Sequence, residues 1–380
     1  MKWRIQLAEI EIGDEEKRAI AKVLDSKWLT MGERTLEFEK LFAKEHGVKY
    51  AVAVSSCTAA LHLALRAAGV GAGDEVICPS MTFVASSNAA LYLGATPIFA
   101  DIVSLENPTI SPDDISRKIT PRTKAIVAMH YGGYPCEIEK ISRIAKRHSI
   151  ALIEDAAHAP MVRCGRKMLG TFGDAGCFSF YANKNMTTAE GGMIITNDGR
   201  IAEEAQRNRS HGLSHLARER FTAGTVGYDV VDLGYNYRID EIRSAIGIVQ
   251  LKRLKKAKPA RKRAVEQYQK LLKDIPNLTI PFNRYKGDSA FHLFGVILGF
   301  MAPNRDRVIE KMSAAGVQTS NHYTPVHLFK YYRKQLGTHE RTLLLTEEYG
   351  RRQITLPLYN GMKKKDVKYV VDSLKKALRG

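Results

Sequence analysis

From residue 50 to residue 155, short apolar runs alternate with stretches of helical period, and this restricts the fold more than any other feature of the chain. Tyr50–Val54 (YAVAV) reads as a buried strand and Ala59–Ala68 as a helix ended by Gly69. A strand over Glu75–Cys78, a helix over Phe83–Leu93 and a strand over Pro97–Asp101 follow. Then come a helix over Pro112–Lys118, a strand over Ala125–His130, a helix over Glu137–His148 and a strand over Ala151–Asp155. A strand that is apolar throughout must be covered on both faces. Helices between such strands supply the cover, so the pattern predicts an α/β fold with a parallel sheet. In sheets of this kind ligands gather at the carboxyl ends of the strands.

Beyond residue 170 the period changes. Ala175–Phe180 and Gly192–Thr196 read as strands joined by the polar segment Tyr181–Gly191, and a helix is predicted from Asp240 to about Leu254. Pro259 marks an expected break. A further helix, a strand at Phe291–Leu298, a helix at Arg305–Ala315 and a final amphipathic helix ending at Leu378 complete a smaller α+β unit. The expected division is a large domain over 1–255 and a small C-terminal domain over 256–380.

The chain carries 58 basic and 40 acidic residues, a net charge of +18 over 380 residues, which favours anionic partners. The densest cluster is Lys252, Arg253, Lys255, Lys256, Lys258, Arg261, Lys262 and Arg263, on both sides of Pro259. It suits two solvated helix faces meeting at a break, or a phosphate-contacting patch. Nucleic-acid binding is the alternative that the charge raises, but no binding motif or stacking platform of aromatic residues accompanies it. The five cysteines are scattered without C-x-x-C spacing, so neither a disulfide framework nor a metal site is suggested. No apolar run reaches the roughly 20 residues of a membrane span, and the acidic start lacks a secretory pattern. A cytoplasmic location is therefore expected.

Three segments carry chemistry. Ser55-Ser56-Cys57-Thr58 lies between a strand and a helix, where free N–H groups and the helix dipole make an anion site; it also suits a plain helix cap. Asp155 ends an apolar strand and so lands on the ligand-bearing edge, where a carboxylate needs a cationic or hydrogen-bonding partner. A helix cap or a local salt bridge would also satisfy it. Lys184 stands alone in an uncharged polar turn after a strand, and an amine losing hydration there becomes nucleophilic toward carbonyls. A lone lysine is otherwise a solvated surface group. Anion site, strand-end acid and isolated lysine together are what a pyridoxal phosphate site requires.

These residues sit in longer segments that resemble one family nearly end to end. WLTMGERTLEFEKLFA, AVAVSSCTAALHLAL, GDEVICPSMTFVASSNA, LIEDAAHA, GDAGCFSFYANKNMTTAEGGMI, LGYNYRIDEIRSAIG and HYTPVHL are similar, in order, to the DegT/DnrJ/EryC1/StrS family of pyridoxal-phosphate-dependent sugar aminotransferases. The resemblance implies the type I, aspartate-aminotransferase-like fold. It implies that Lys184 forms the internal aldimine and shuttles the proton, that Asp155 binds the pyridine nitrogen, and that His158 supports the ring. It further implies that Phe83 stacks on the ring and that Cys57, Thr58 and Ser179 contact the phosphate. Asn236 would reach the cofactor phosphate of a neighbouring subunit, which makes a homodimer with shared active sites the expected assembly. Trp28, Thr30 and Met31, with His322 and Tyr323, resemble segments that approach the sugar; Trp28 equally suits a core position and His322 a surface one.

The implied reaction transfers an amino group from L-glutamate to a keto nucleotide-sugar, a 4-keto-6-deoxy sugar being the expected acceptor, with ping-pong kinetics. Its setting would be amino-sugar or cell-surface polysaccharide biosynthesis. A dehydratase branch carries His where Lys184 stands, so Lys184 argues against it. A non-catalytic regulator on the same fold is the other alternative, and the intact Lys184, Asp155 and phosphate segment argue against that. Two positions depart from the family pattern: Cys57 replaces the commoner Gly before Thr58, and Ala189 stands where Gly is frequent.

Overall fold

The computed structural model describes residues 3–214 and 228–379. Two helices, α1 (Asp14–Ser26) and α2 (Glu33–His46), precede the first strand; the sequence reading did not anticipate either. Then β1 (Tyr50–Val54), α3 (Cys57–Ala67), β2 (Glu75–Pro79), α4 (Ala85–Tyr92), β3 (Thr96–Ala100), α5 (Pro112–Lys118), β4 (Thr123–Met129), α6 (Ile138–Arg147) and β5 (Ala151–Asp155) follow the predicted alternation. A two-residue hairpin, β6 (Arg163–Cys164) and β7 (Lys167–Met168), leads to β8 (Ala175–Ser179), β9 (Gly192–Thr196) and α7 (Gly199–Asn208).

These strands make a seven-stranded sheet of order β1-β9-β8-β5-β4-β2-β3. β3, β2, β4, β5 and β8 run parallel; β9 is antiparallel to both β8 and β1. Successive side chains of a strand point to opposite faces, and both faces are buried as the apolar runs require. Val127 and Ile153 pack with Leu61 and Leu65 of α3, whereas Ile126, Ala128 and Leu152 pack with Ile115 of α5 and Ile141 and Ala145 of α6. The same alternation separates the acidic pair at the end of β5.

Glu154 is fully buried and accepts N–H bonds from Gly170 (2.8 Å), Phe172 (2.6 Å) and Gly173 (3.0 Å), with His130 Nε2 at 3.0 Å. It anchors the loop leading into β8, while Asp155 turns the other way. Glu154→Ala leaves three buried donors without an acceptor. A loss of about 3–5 kcal/mol is expected, read as a lower urea midpoint at unchanged slope.

The rest of the chain completes the packing on the large sheet and builds a smaller layer. A 32-residue helix, α8 (Glu241–Leu272), runs unbroken through Pro259, against the expected break. Proline removes one hydrogen bond to the residue four positions earlier. Here Lys255 and Pro259 both lie on the exposed side, so water can solvate the carbonyl left over. Leu251, Leu254, Val265 and Tyr268 form the buried stripe of this single helix.

The basic cluster is largely engaged. Arg253 pairs with Glu16, Lys255 with Glu45, Lys258 with Asp288 and Lys262 with Glu266, and Arg261 is buried. That reduces the free charge available to an external phosphate. Strands β10 (Leu278–Thr279), β11 (Phe294–Leu298) and β12 (Gln353–Leu356) form an antiparallel sheet. It shares a core with α8, α9 (Arg305–Ala314) and α12 (Lys364–Leu378) through Tyr268, Phe294, Val308, Leu356 and Val370. Two shorter helices, α10 (Lys330–Leu336) and α11 (Leu344–Arg352), lie between α9 and β12. No helix among the described residues is long and apolar enough to cross a membrane.

Candidate active site

The carboxyl ends of β5 and β8 and the start of α3 meet at one edge of the sheet. Asp155 closes β5 in register with Cys177 of β8 and is buried. Its Oδ2 accepts from the Ser86 hydroxyl at 3.0 Å and its Oδ1 from the Ala157 N–H at 3.1 Å. Burial pushes the Asp155 carboxyl up, while Ala157, Ser86 and the charge of Lys184 pull it down. Two donors leave lone pairs unused, so the group can take a cationic N–H partner. Ser86, on α4, was missed from sequence because nothing in its own segment points toward Asp155.

Lys184 sits in the turn between β8 and β9. That turn is closed on itself: Phe180 N–H donates to Gly191 at 2.9 Å, Thr188 N–H to Phe180 at 2.9 Å and Lys184 N–H to Tyr181 at 3.0 Å. Loss of hydration lowers the Lys184 amine to about 8, against the opposing pull of Asp155 and Cys57. A substantial neutral fraction therefore exists near neutral pH, which is the form that attacks carbonyls.

The turn ends in Gly191-Gly192 because β9 runs against the start of α3. A Cβ on Gly192 would lie 2.6 Å from the Cys57 nitrogen. Ala189, where the family pattern favours glycine, holds φ at 68°, a left-handed conformation that costs a non-glycine residue about 1 kcal/mol.

At the helix start, Ser56 caps α3 by accepting the Ala59 N–H at 3.1 Å. The N–H groups of Cys57 and Thr58, in the first turn, have no acceptor within the helix and point out of its positive end. The cap thus coexists with free N–H donors at the same helix start. Burial and Asp155 push the Cys57 thiol well up, so its contribution there is the backbone donor. Ser179 is buried at the end of β8 and accepts the Tyr181 N–H at 3.4 Å.

His158 lies against the site in one defined tautomer. Gly132 N–H donates to its Nδ1 at 3.2 Å, so Nε2 carries the proton and donates to Tyr323 Oη at 3.0 Å. Burial and Lys184 push the His158 ring far down, which keeps it neutral. His322 is seated by its N–H on Gln353 (3.0 Å), by its Nδ1 near Thr355 Oγ1 (3.0 Å) and by its carbonyl, which accepts the Tyr131 hydroxyl. Burial and Lys184 lower it to about 4. Phe83 is 60% exposed, its ring centroid 6.4 Å from that of Tyr323. A face is thus left free for a ligand.

The other expected residues stand apart. Trp28 and Thr30 are exposed and Met31 half-buried, in a segment whose Leu29 carbonyl accepts the Glu241 N–H at 3.1 Å. Asn236 is exposed in the stretch 235–237, where the Tyr237 carbonyl accepts the Ser55 N–H at 2.7 Å. Residues missed by sequence reading include Asn185, Tyr131 and His292. Asn185 is beside Lys184 in the quoted motif, but its partner lies about a hundred residues on, beyond the reach of any local pattern. Asp155→Asn removes the charge that holds the lysine amine up. The midpoint for labelling Lys184 with an amine reagent should fall below 8, measured by mass spectrometry of the Lys184 peptide across pH.

The sequence profile of the DegT/DnrJ/EryC1/StrS aminotransferase family matches residues 10–375. The chain is 39% identical over 374 residues to the spore coat polysaccharide biosynthesis protein SpsC of Bacillus subtilis (strain 168), covering 97% of this chain and 96% of that protein. Among solved structures it is similar to PseC of Helicobacter pylori, an aminotransferase involved in the biosynthesis of pseudoaminic acid. There the TM-score is 0.92 and the identity 30%, with 100% of both chains covered. The PLP form of the Streptococcus pneumoniae sugar aminotransferase Spr1654 aligns with a TM-score of 0.91 and 26% identity, covering 100% of this chain and 99% of that one. A family match over nearly the whole length, with a buried strand-end acid beside an amine of lowered basicity, leads to one conclusion: the chain belongs to the DegT/DnrJ/EryC1/StrS aminotransferase family.

Proposed function

We propose that this enzyme is a pyridoxal-phosphate-dependent transaminase. It moves the amino group of L-glutamate onto a keto nucleotide-sugar, a 4-keto-6-deoxy sugar, in cytoplasmic biosynthesis of an amino sugar for a polysaccharide. The observation that carries the reading is the Lys184 amine, lowered to about 8 beside the buried Asp155. The donor set fits the cofactor. Asp155 offers unused lone pairs to a protonated ring nitrogen, the first turn of α3 offers N–H groups to a phosphate, and Thr58 and Ser179 add hydroxyls. Pyridoxal phosphate, when bound, supplies an electron sink for the charge left when a proton leaves an amino-acid α-carbon.

The protein's part is binding and proton transfer. Lys184 takes the α-proton of the donor in one half-reaction and delivers a proton to the sugar carbon in the other. Such general acid–base transfer contributes about 10²–10⁴-fold in rate. Asp155 keeps its ring partner protonated, and the neutral His158 and Tyr323 hold one wall in fixed orientation. Phe83 covers a ring face. His322 and Tyr323 present polar groups toward the sugar, with Trp28, Thr30 and Met31 completing that side. The assembly is a homodimer, in which Asn236 of each copy reaches the cofactor phosphate of the other. The names of SpsC and PseC support the sugar as acceptor, and the net charge of +18 suits its diphosphate.

Purified protein should be yellow, and borohydride should bleach it and leave the reduced cofactor on the Lys184 peptide. Glutamate alone should convert the absorbance to that of the aminated cofactor. Lys184→Ala should lose at least about 10³-fold in turnover of keto sugar with glutamate. A Lys184→Ala enzyme that kept its rate would sink the assignment.

A further inference from the structure

Asn185, the residue after Lys184, is tied to a segment far away in sequence. Its Nδ2 donates to the Ala290 carbonyl at 2.6 Å, which fixes the amide's orientation. Its Oδ1 therefore faces His292 Nδ1, 2.8 Å away, and His292 must carry its ring proton on Nδ1. Both side chains are buried. The segment is held from the opposite side as well: Ala290 N–H donates to Gly133 at 3.0 Å, His292 N–H to Gly132 at 2.9 Å and Ser289 Oγ to Gly133 at 2.9 Å. The same Gly132 gives its N–H to His158.

Arg261 braces the outside. Its Nε donates to Asn360 Oδ1 at 2.8 Å, and its Nη1 to the Phe291 and Leu358 carbonyls at 3.2 Å each. The His158 and His292 rings meet with centroids 4.2 Å apart. Two imidazoles, one amide and one glycine turn are thus linked together against the lysine loop, whose Tyr181 and Asn183 remain exposed.

The geometry points to His292 and Asn185 as a positioning pair for Lys184: a buried imidazole N–H holds the amide beside the lysine, packing the loop against neutral rings and excluding water from the amine. The inference rests on Lys184 being the reactive amine proposed above, although none of these bonds involves the cofactor. The charged group acting on the amine is Asp155, while the Cys57 thiol, pushed well up by burial, stays neutral. The rings of His158, His292 and His322 feel its charge in return and are all held neutral by burial. Arg261 adds a positive charge against protonation of His292.

The test labels the full-length protein, freed of cofactor, with trinitrobenzenesulfonate from about pH 6 to about pH 10, quantifying the Lys184 peptide by mass spectrometry. His292→Ala admits water and should raise the midpoint by about one unit, lowering Lys184 labelling near neutral pH about tenfold. His292→Asn places an amide donor where ring Nδ1 stood and should restore labelling to within about twofold. His292→Gln offers its amide at the Nε2 position and should not. The Asn/Gln comparison decides the matter even if the alanine variant does not fold. Equal profiles for Asn and Gln, at thermal midpoints matching the parent, would overturn the pair's role. A parent protein with no cofactor absorbance would instead sink the proposed function, with the labelling comparison still readable.

Discussion

A half-buried amine and a buried carboxylate act on one another's charge at the carboxyl edge of the sheet, and the rest of the site is arranged around that fact. Burial alone would raise Asp155 and lower Lys184. Each is checked by the other, and Asp155 also by the Ser86 hydroxyl and the Ala157 N–H. The balance leaves Lys184 at about 8, partly neutral and reactive, and leaves Asp155 with room for one cationic partner. Three neutral histidines around the lysine add hydrogen-bonding capacity without adding positive charge that would depress the amine further.

The fold makes such a pair affordable by spending its other polar groups on architecture. Glu154 goes to the opposite face and stitches down the loop before β8. Arg261, fully interior, is used on carbonyls and Asn360 at the junction of α8 with the small sheet. Gly192 lets β9 lie against the first turn of α3, which brings the free N–H groups of that turn beside the lysine turn. Ala189 reaches the same backbone course at the cost of a left-handed φ.

Local pattern was a good guide wherever one face or one period decided the matter. YAVAV and ALIED are strands because apolar runs of that length must be covered on both sides, and Asp155 followed as a strand-end acid. Lys184 stood out because the other charged residue of its turn, Glu190, lies at the far end. The departures have two causes, exposure to water in one case and a neighbour distant in sequence in the other. Pro259 reads as a stop, yet α8 continues because its proline and the carbonyl it orphans both face solvent. The basic cluster reads as two solvated helix faces or a phosphate-contacting patch, yet Glu16, Glu45 and Asp288 engage Arg253, Lys255 and Lys258.

By itself, then, the sequence determined the parallel core and, through its motifs, the family, and it singled out Asp155, Lys184 and the start of α3 as candidates, because strand period and motif are local properties. Only the tertiary structure decided that His158 is neutral with its proton on Nε2, that Ser86 holds Asp155, and that His292 grips the residue beside Lys184. Each of those depends on a hydrogen bond between residues from 26 to 107 positions apart, and no spacing along the chain encodes which distant donor will be brought within reach.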